Sequence, residues 1–159
     1  MRYIKSLLFA TLVSILFVSC ASLKAPIVTK NESLIGYKYF YVTPTSELTS
    51  SAAAIYGNYG SAQTKSLNPS DVISGIMIKK GFVRLPELKQ DLLDQTLIIN
   101  YGESGRRNLN LGYSIEVTIQ MLSAKTDAVV CVCTAEGQGS TEADDIRIAI
   151  NRALEGLFK

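Results

Sequence analysis

The strict alternation of apolar and polar residues between positions 113 and 121 constrains the fold of this chain more than any other feature. A period of two residues places the two sets of side chains on opposite faces of a β-strand, so this stretch predicts a strand with one buried face. Residues 123–127 form a connection of hairpin length, and residues 128–138 are predicted to return as the partner strand. The apolar set consists of Tyr113, Ile115, Val117, Ile119 and Met121, and the polar set of Ser114, Glu116, Thr118 and Gln120.

Two stretches carry the start and stop signals of helices. Asn68 and Pro69 are typical of an N-cap and a first helical position, and Gly81 is a typical C-terminal stop. A second helix is predicted after a cap at Ser140 or Thr141, because the apolar residues that follow have the i, i+3, i+4 spacing of one buried face. Further strands are predicted at residues 37–42, 82–85 and 96–101.

The order of these elements predicts an α+β fold. We expect a two-layer sandwich in which a mixed, mostly antiparallel sheet of four to five strands carries two helices on one face. A chain of about 150 residues usually forms one core, so residues 37–159 are predicted to be a single domain.

The first 20 residues have the organisation of a bacterial export signal. Arg2 and Lys5 precede an apolar run, and a small residue precedes a cysteine, so residues 1–19 are predicted to be a cleaved signal peptide. The apolar run is shorter than the roughly 20 residues that a membrane-spanning helix needs. The sequence Phe-Val-Ser-Cys from Phe17 to Cys20 resembles the bacterial lipobox. This resemblance implies that Cys20 carries a diacylglyceryl group and further acyl chains such as palmitate; the alternative is an ordinary secretory signal with an incidental cysteine.

The lipobox resemblance also bears on location. Residues 20–36 are expected to form the lipidated N-terminus and a tether that lifts the domain from the membrane. Neither an aspartate nor an acidic cluster directly follows Cys20. Among lipoproteins of bacteria with two membranes, this pattern resembles outer-membrane cargo that faces the periplasm. The membrane, reached through the lipid anchor, is therefore the first expected partner.

Charge and composition exclude several classes of function. Removal of residues 1–19 takes away Arg2 and Lys5, so the 16 basic residues become 14 and balance the 14 acidic ones. A chain without net positive charge lacks the electrostatic attraction to phosphates on which nucleic-acid binding depends. The chain has no histidine, which removes the commonest general base and transition-metal ligand. We therefore expect no cofactor, no metal site and no catalytic residues.

The candidate partner-binding residues lie in two segments. Residues 46–66 are rich in Ser, Ala, Gly, Tyr and Thr and predict a long loop, with Tyr56 and Tyr59 at its centre. Tyrosines in a long loop favour contact with a partner, although a disordered insertion or a flap packed on the sheet remains open. Arg106 and Arg107 are predicted at a polar hairpin tip, either as a docking point for an anionic group or as solvated side chains.

Two further clusters have plainer interpretations. Cys131 and Cys133 share one face of a predicted strand and are expected to be buried, reduced thiols. Glu142, Asp144 and Asp145 could bind a divalent cation, but their position in the first turn of a helix favours stabilisation of the helix dipole.

The element order resembles a known group of proteins. A capped helix ending in Lys-Lys-Gly-Phe (79–82), an Ile-Ile-Asn-Tyr-Gly strand (98–102), a long hairpin and a closing helix together resemble small envelope lipoproteins of Bacteroidetes, most of which have no assigned role. The arrangement is more distantly similar to curli-secretion lipoproteins and to the lipoprotein activators of penicillin-binding proteins. The resemblance covers about residues 37–158. It implies a fold and an envelope location, but no site residue.

The favoured hypothesis is a lipid-anchored, non-catalytic envelope lipoprotein that binds another envelope protein or a cell-wall component. The alternative is a subunit of an oligomeric outer-membrane secretion pore, because residues 112–122 and 128–138 have the length of membrane strands, about 9–11 residues. In the second stretch, however, apolar residues occupy both faces, which is typical of a strand covered by helices. An enzyme is not expected, since no combination of nucleophile, base and oxyanion donor is evident.

Overall fold

The computed structural model describes residues 22–56, 59–109 and 112–159. The predicted signal peptide (1–19) and the lipidation site Cys20 lie outside these residues and stay predictions. Within the described part of the chain, no helix combines the length and the apolar character needed to cross a membrane.

The strands form one large sheet and one small one. They are β1 (Ile27–Lys30), β2 (Tyr39–Val42), β3 (Leu48–Tyr56), β4 (Tyr59–Leu67), β5 (Val83–Arg84), β6 (Thr96–Asn108), β7 (Tyr113–Ser123) and β8 (Val129–Gly137). The large sheet has the order β1-β8-β7-β6-β2-β5, and β3 pairs only with β4. The strands β1, β8, β7 and β6 are antiparallel neighbours, whereas β2 runs parallel to both β6 and β5. The predicted α+β fold is confirmed, with six strands in the main sheet rather than four to five.

Two α-helices and one 3-10 helix complete the fold: α1 (Pro69–Lys79), α2 (Glu142–Leu157) and a 3-10 helix at Gln90–Gln95. The predicted caps are confirmed. The Asn68 side chain accepts from the N–H of Ser70 over 3.1 Å, and the Thr141 side chain accepts from the N–H of Asp144 over 3.2 Å. Gly81 has a φ of 93° just after α1, a left-handed conformation that glycine adopts without strain.

The core lies between the helices and one face of the main sheet. The alternation that predicted β7 is confirmed, because Ile115, Val117, Ile119 and Met121 are fully buried. From α2 the buried face consists of Ala143, Ile146, Ala149, Ile150, Ala153, Leu154 and Leu157. Burial of large aliphatic side chains contributes about 1.5–3 kcal/mol each, so this layer is the main source of stability.

A β-bulge changes the predicted alternation in β8. Met121 pairs with Cys131 but Leu122 pairs with Val129, so Val130 is an extra residue in the strand. Val130 is therefore fully buried together with Cys131, although alternation alone assigns the two residues to opposite faces.

The predicted tether at residues 20–36 is corrected in its described part. β1 adds an edge strand to the main sheet, with Val28 opposite Cys133. A Cβ built on Gly156 of α2 would lie 3.1 Å from Pro26 and 3.4 Å from Val28, so the helix packs closely on this segment. The β-branched residues Ile27, Val28 and Thr29 favour a strand, and pairing with β8 together with packing against α2 holds this strand at the edge of the sheet.

The predicted loop at residues 46–66 is also corrected, because β3 and β4 form an antiparallel hairpin with nine residue pairs. The segment has few large apolar residues and so lacks the hydrophobic alternation by which a strand is recognised. Its two strands pair with each other along their whole length, and its base is buried through Leu67.

Candidate functional site

The best candidate site lies at one end of the main sheet. β6 and β8 end there, β7 and α2 begin there, and the described chain starts there at Ser22. We call this the Ser22 end. The opposite end carries the turn of residues 124–128 between β7 and β8.

The two candidate arginines lie within strand β6, so the prediction of a hairpin tip is corrected. As neighbours in a strand, they face opposite sides of the sheet. Arg106, on the helix side, forms an ion pair with Glu142 at the start of α2, which raises the pKa of Arg106. Its guanidinium carbon lies 5.4 Å from the centre of the Tyr113 ring. Arg107 faces the side of the sheet opposite the helices and pairs with Glu136. The two guanidinium groups therefore do not form a single docking point.

Glu136 is a buried carboxylate near the end of β8, with 2% of its surface exposed. Arg107 donates two hydrogen bonds to it, from Nε to Oε1 over 2.8 Å and from Nη2 to Oε2 over 2.6 Å. The backbone N–H of Lys24 donates to Oε2 over 2.9 Å. The hydrogen bonds from Arg107, more than any other cause, lower the pKa of Glu136 to about 2. Glu136 is thus a fully bonded anion at neutral pH and is not available as a general acid.

The same network holds the first described residues on the domain. Arg152 of α2 donates to the backbone oxygen of Glu136 and, over 2.8 Å, to the carbonyl of Lys24. Arg107 Nη2 also donates to the carbonyl of Ser22 over 3.4 Å. Both backbone polar groups of Lys24 are therefore bonded to the domain. We call Arg107, Glu136 and Arg152 the N-terminal clamp.

The β3–β4 hairpin is fixed to the first turn of α2 at one residue pair. Lys65 Nζ donates to Asp144 Oδ2 over 2.6 Å, and the N–H of Ala143 donates to Ser50 Oγ over 2.9 Å. Ser50 and Lys65 face each other in the hairpin register. The Lys65 hydrogen bond is the largest of the causes that lower the pKa of Asp144 to about 2. The hairpin is thus docked by both a charged contact and a backbone contact.

A groove of about 470 Å³ lies between the docked hairpin and the start of α2. Ser50 and Ser51 supply hydroxyl groups from β3, and Tyr113 supplies an aromatic ring. Glu142 and Asp145 supply carboxyl groups from α2. A groove lined by hydroxyl and carboxyl groups suits a polar ligand that offers several hydrogen-bond donors, rather than an apolar molecule.

The three acidic residues at the start of α2 have three different partners. Glu142 pairs with Arg106, and Asp144 pairs with Lys65. Asp145 accepts from the backbone N–H of Gly139, and burial raises its pKa. All three lie in the first helical turn, as the dipole interpretation predicts. Across the described ranges, no group of three His, Cys, Asp or Glu side chains is placed to hold a metal ion.

Tyr56 and Tyr59 form the last residue pair of the hairpin. The hairpin continues for four pairs beyond Ala52 and Gln63, about 13 Å at 3.3 Å per residue. These tyrosines belong to the small sheet and the candidate arginines to the large one, so the structure distributes the predicted binding residues over two separate elements.

Cys131 and Cys133 are free thiols with no exposed surface, as predicted. Burial raises the pKa of Cys131 to about 11 and that of Cys133 to about 12. Thiols in this state are not nucleophiles at neutral pH. They belong to the core rather than to the candidate site.

Sequence reasoning missed the clamp and the docked hairpin. An acidic residue at the end of an apolar strand signals that Glu136 needs a cationic partner, but not which arginine supplies it. The dipeptide Gly57-Asn58 is a turn signal between two stretches of nine residues, which could have predicted the hairpin.

Comparison with solved structures yields matches of low sequence identity. No protein-family model matches the sequence, and no curated protein matches it. A variant PelC dodecamer from Paraburkholderia phytofirmans matches with a TM-score of 0.48 and 14% identity over 84% of this chain and 98% of that chain. A second PelC dodecamer from the same organism matches with a TM-score of 0.43 and 15% identity over 83% of this chain and 96% of that chain. At these values, the likeness carries no functional conclusion.

Proposed function

We propose that the protein is a lipid-anchored, non-catalytic lipoprotein of the cell envelope that binds another envelope protein or a cell-wall component. In this proposal Cys20 carries the lipid, the membrane is the outer membrane, and the domain faces the periplasm. Kinship with small envelope lipoproteins of Bacteroidetes, inferred from the order of elements, is part of the same proposal.

The observation that carries the binding role is the groove between the docked hairpin and α2. Lys65 and Ser50 hold the hairpin at the third residue pair from its base, while Tyr56 and Tyr59 form its last pair. A concave surface with several polar groups, formed by an extended hairpin, is typical of recognition of a polar ligand. The contact of Tyr56 and Tyr59 with a partner, predicted from the sequence, is part of the same proposal.

Support for a non-catalytic role comes from the charged groups of the site. Glu142 and Glu136 are each held in an ion pair with an arginine. Asp145 is buried and bonded to a backbone N–H. Each of these three carboxylates is thus already engaged by a partner within the domain, whereas a general acid or base must be free to exchange a proton with a substrate.

Two observations support the anchor, one from the sequence that precedes the domain and one from the first described residues of the domain. Cys20 follows an export signal, and Ser22, two residues later, is already bonded to the domain. A domain that starts directly after the lipidation site suits a protein held at a membrane.

The binding role is tested by crosslinking from the groove in intact cells. A photo-crosslinking amino acid at position 51, on the wall of the groove, is compared with one at position 126, in the turn at the opposite end. We expect a discrete adduct from position 51 only. Sedimentation of the purified domain with cell-wall sacculi separates a cell-wall ligand from a protein partner.

A groove-filling variant provides the specificity control. Ser51→Arg places a bulky cation in the groove and should abolish the adduct or the sedimentation, whereas Thr126→Arg at the opposite end should leave either one unchanged. Absence of an adduct from position 51 together with no sacculus binding would contradict the binding role.

The pore-subunit alternative finds no specific support in the described residues. It rests on β7 and β8, whose apolar faces are buried against α2 within the core. That burial already accounts for the length and apolar character of the two strands.

A further inference from the structure

We propose that the Ser22 end of the domain lies directly on the surface of the lipid bilayer that holds the acyl chains, in an orientation fixed by the N-terminal clamp. This inference rests on the proposed function, because it requires a lipid on Cys20. It goes beyond the predicted tether, which would leave the domain free to tumble above the membrane.

The short distance between the anchor and the clamp is the first argument. Ser22 follows Cys20 by two residues, and two residues span at most about 7 Å. The carbonyl of Ser22 is bonded to Arg107, and both backbone polar groups of Lys24 are bonded to the clamp. The lipid is therefore attached almost directly to the folded domain.

The direction of the strands then determines which surface of the domain contacts the lipid. β7 runs from Tyr113 at the Ser22 end to Ser123 at the opposite end, over 11 residues, which is about 33 Å of strand. In the proposed orientation the sheet stands on its Ser22 end, so the turn at residues 124–128 is held away from the bilayer. The residues nearest the headgroups are those around Ser22, the end of β6 and the start of α2.

The chemistry of the Ser22 end fits a phospholipid surface. The Lys24 side chain is 62% exposed, and an exposed lysine beside an anchor is attracted to anionic headgroups. The β3–β4 hairpin is docked at this same end, where the N–H of Ala143 donates to Ser50 Oγ. A ligand of the groove must therefore be accessible at the membrane surface.

Single-tryptophan variants test the orientation, because the chain has no tryptophan of its own. Asn108→Trp places an indole at the exposed end of β6, and Thr126→Trp places one in the turn at the opposite end. The lipidated full-length protein is reconstituted in vesicles that contain brominated phospholipid, a short-range quencher. We expect quenching of the indole at position 108 and none at position 126.

Opening the clamp should remove this difference. Glu136→Gln keeps the size of the side chain but removes the charge that binds Arg107, so the quenching at position 108 should fall. Arg84→Gln serves as the matched control, because Arg84 forms an exposed ion pair with Asp71 outside the clamp. This control should leave the quenching unchanged.

Mass spectrometry of the same samples distinguishes a failure of the lipoprotein proposal from a failure of the proposed orientation. A mass without lipid would overturn the proposed function and the orientation together. A lipidated protein with equal quenching at both positions, or with quenching at neither, would overturn the orientation and leave the lipoprotein assignment intact. Quenching that survives Glu136→Gln in a folded protein would overturn the role of the clamp.

Discussion

Replacement of Arg107 by alanine should remove the largest stabilising contact of the N-terminal clamp. Arg107→Ala leaves the buried Glu136 carboxylate with only the contacts of Lys24, namely its backbone N–H at 2.9 Å and its Nζ at 3.7 Å. The loss of one partner from a buried ion pair destabilises a protein because the remaining charge is desolvated without compensation.

The pKa of Glu136 sets the size of the effect. Its fall from 4.5 to about 2 corresponds to an upper bound of about 3.4 kcal/mol, at about 1.4 kcal/mol for each factor of ten in proton affinity. The Arg107 side chain is 35% exposed and Lys24 retains part of the interaction, so we expect a loss of about 2 kcal/mol at pH 7.

The effect should depend on pH in a defined direction. Because the folded-state pKa of Glu136 lies below the unfolded one, its stabilisation is present above pH 4.5 and is lost as the pH falls towards 2. The penalty of Arg107→Ala should therefore fall at pH 3 to about 60% of its value at pH 7.

Urea denaturation of the soluble domain at both pH values measures this penalty. Arg84→Ala is the control, because its ion pair with Asp71 is exposed and should be worth less than about 1 kcal/mol. In a Glu136→Gln background, Arg107→Ala should cost much less than it does in the natural chain. A penalty equal to that of Arg84→Ala, or one that does not change with pH, would contradict a stabilising ion pair between Arg107 and the buried Glu136.

Three further predictions concern packing, thiols and the hairpin. Gly137→Ala should destabilise the fold by about 3 kcal/mol or more, because the new Cβ would lie 1.9 Å from a backbone oxygen of α2; Gly102→Ala, with nothing within 4 Å, is the control in urea denaturation. Cys131 and Cys133 should resist alkylation at pH 8 in the folded protein and react in denaturant; a mass increase without denaturant would contradict their burial. Lys65→Met should speed proteolysis within residues 48–67 and change the unfolding free energy by less than about 1 kcal/mol; unchanged cleavage would argue against the docking contact.

Local signals in the sequence predicted those elements whose stability is local. The alternation in β7, the caps at Asn68 and Thr141, and the apolar face of α2 each follow from residues close together in the chain. The α+β layer arrangement followed from their order, because an amphipathic helix and a strand with one apolar face must cover each other.

The features that sequence could not predict depend on contacts between distant residues. The clamp joins Lys24 to Glu136 and Arg152 across 112 and 128 positions. The hairpin is docked through Lys65 and Asp144, 79 positions apart. No periodicity encodes such pairs, so a polar segment with long-range partners has the same local composition as a free loop.

The most direct test of the account is the intact mass of the protein extracted from membranes, beside a Cys20→Ala variant. We expect the mass of residues 20–159 plus a diacylglyceryl group and an additional acyl chain, and the loss of this lipid mass in the variant. An unmodified mass for the natural chain, recovered in the soluble fraction, would contradict the lipid anchor and the membrane orientation that depends on it.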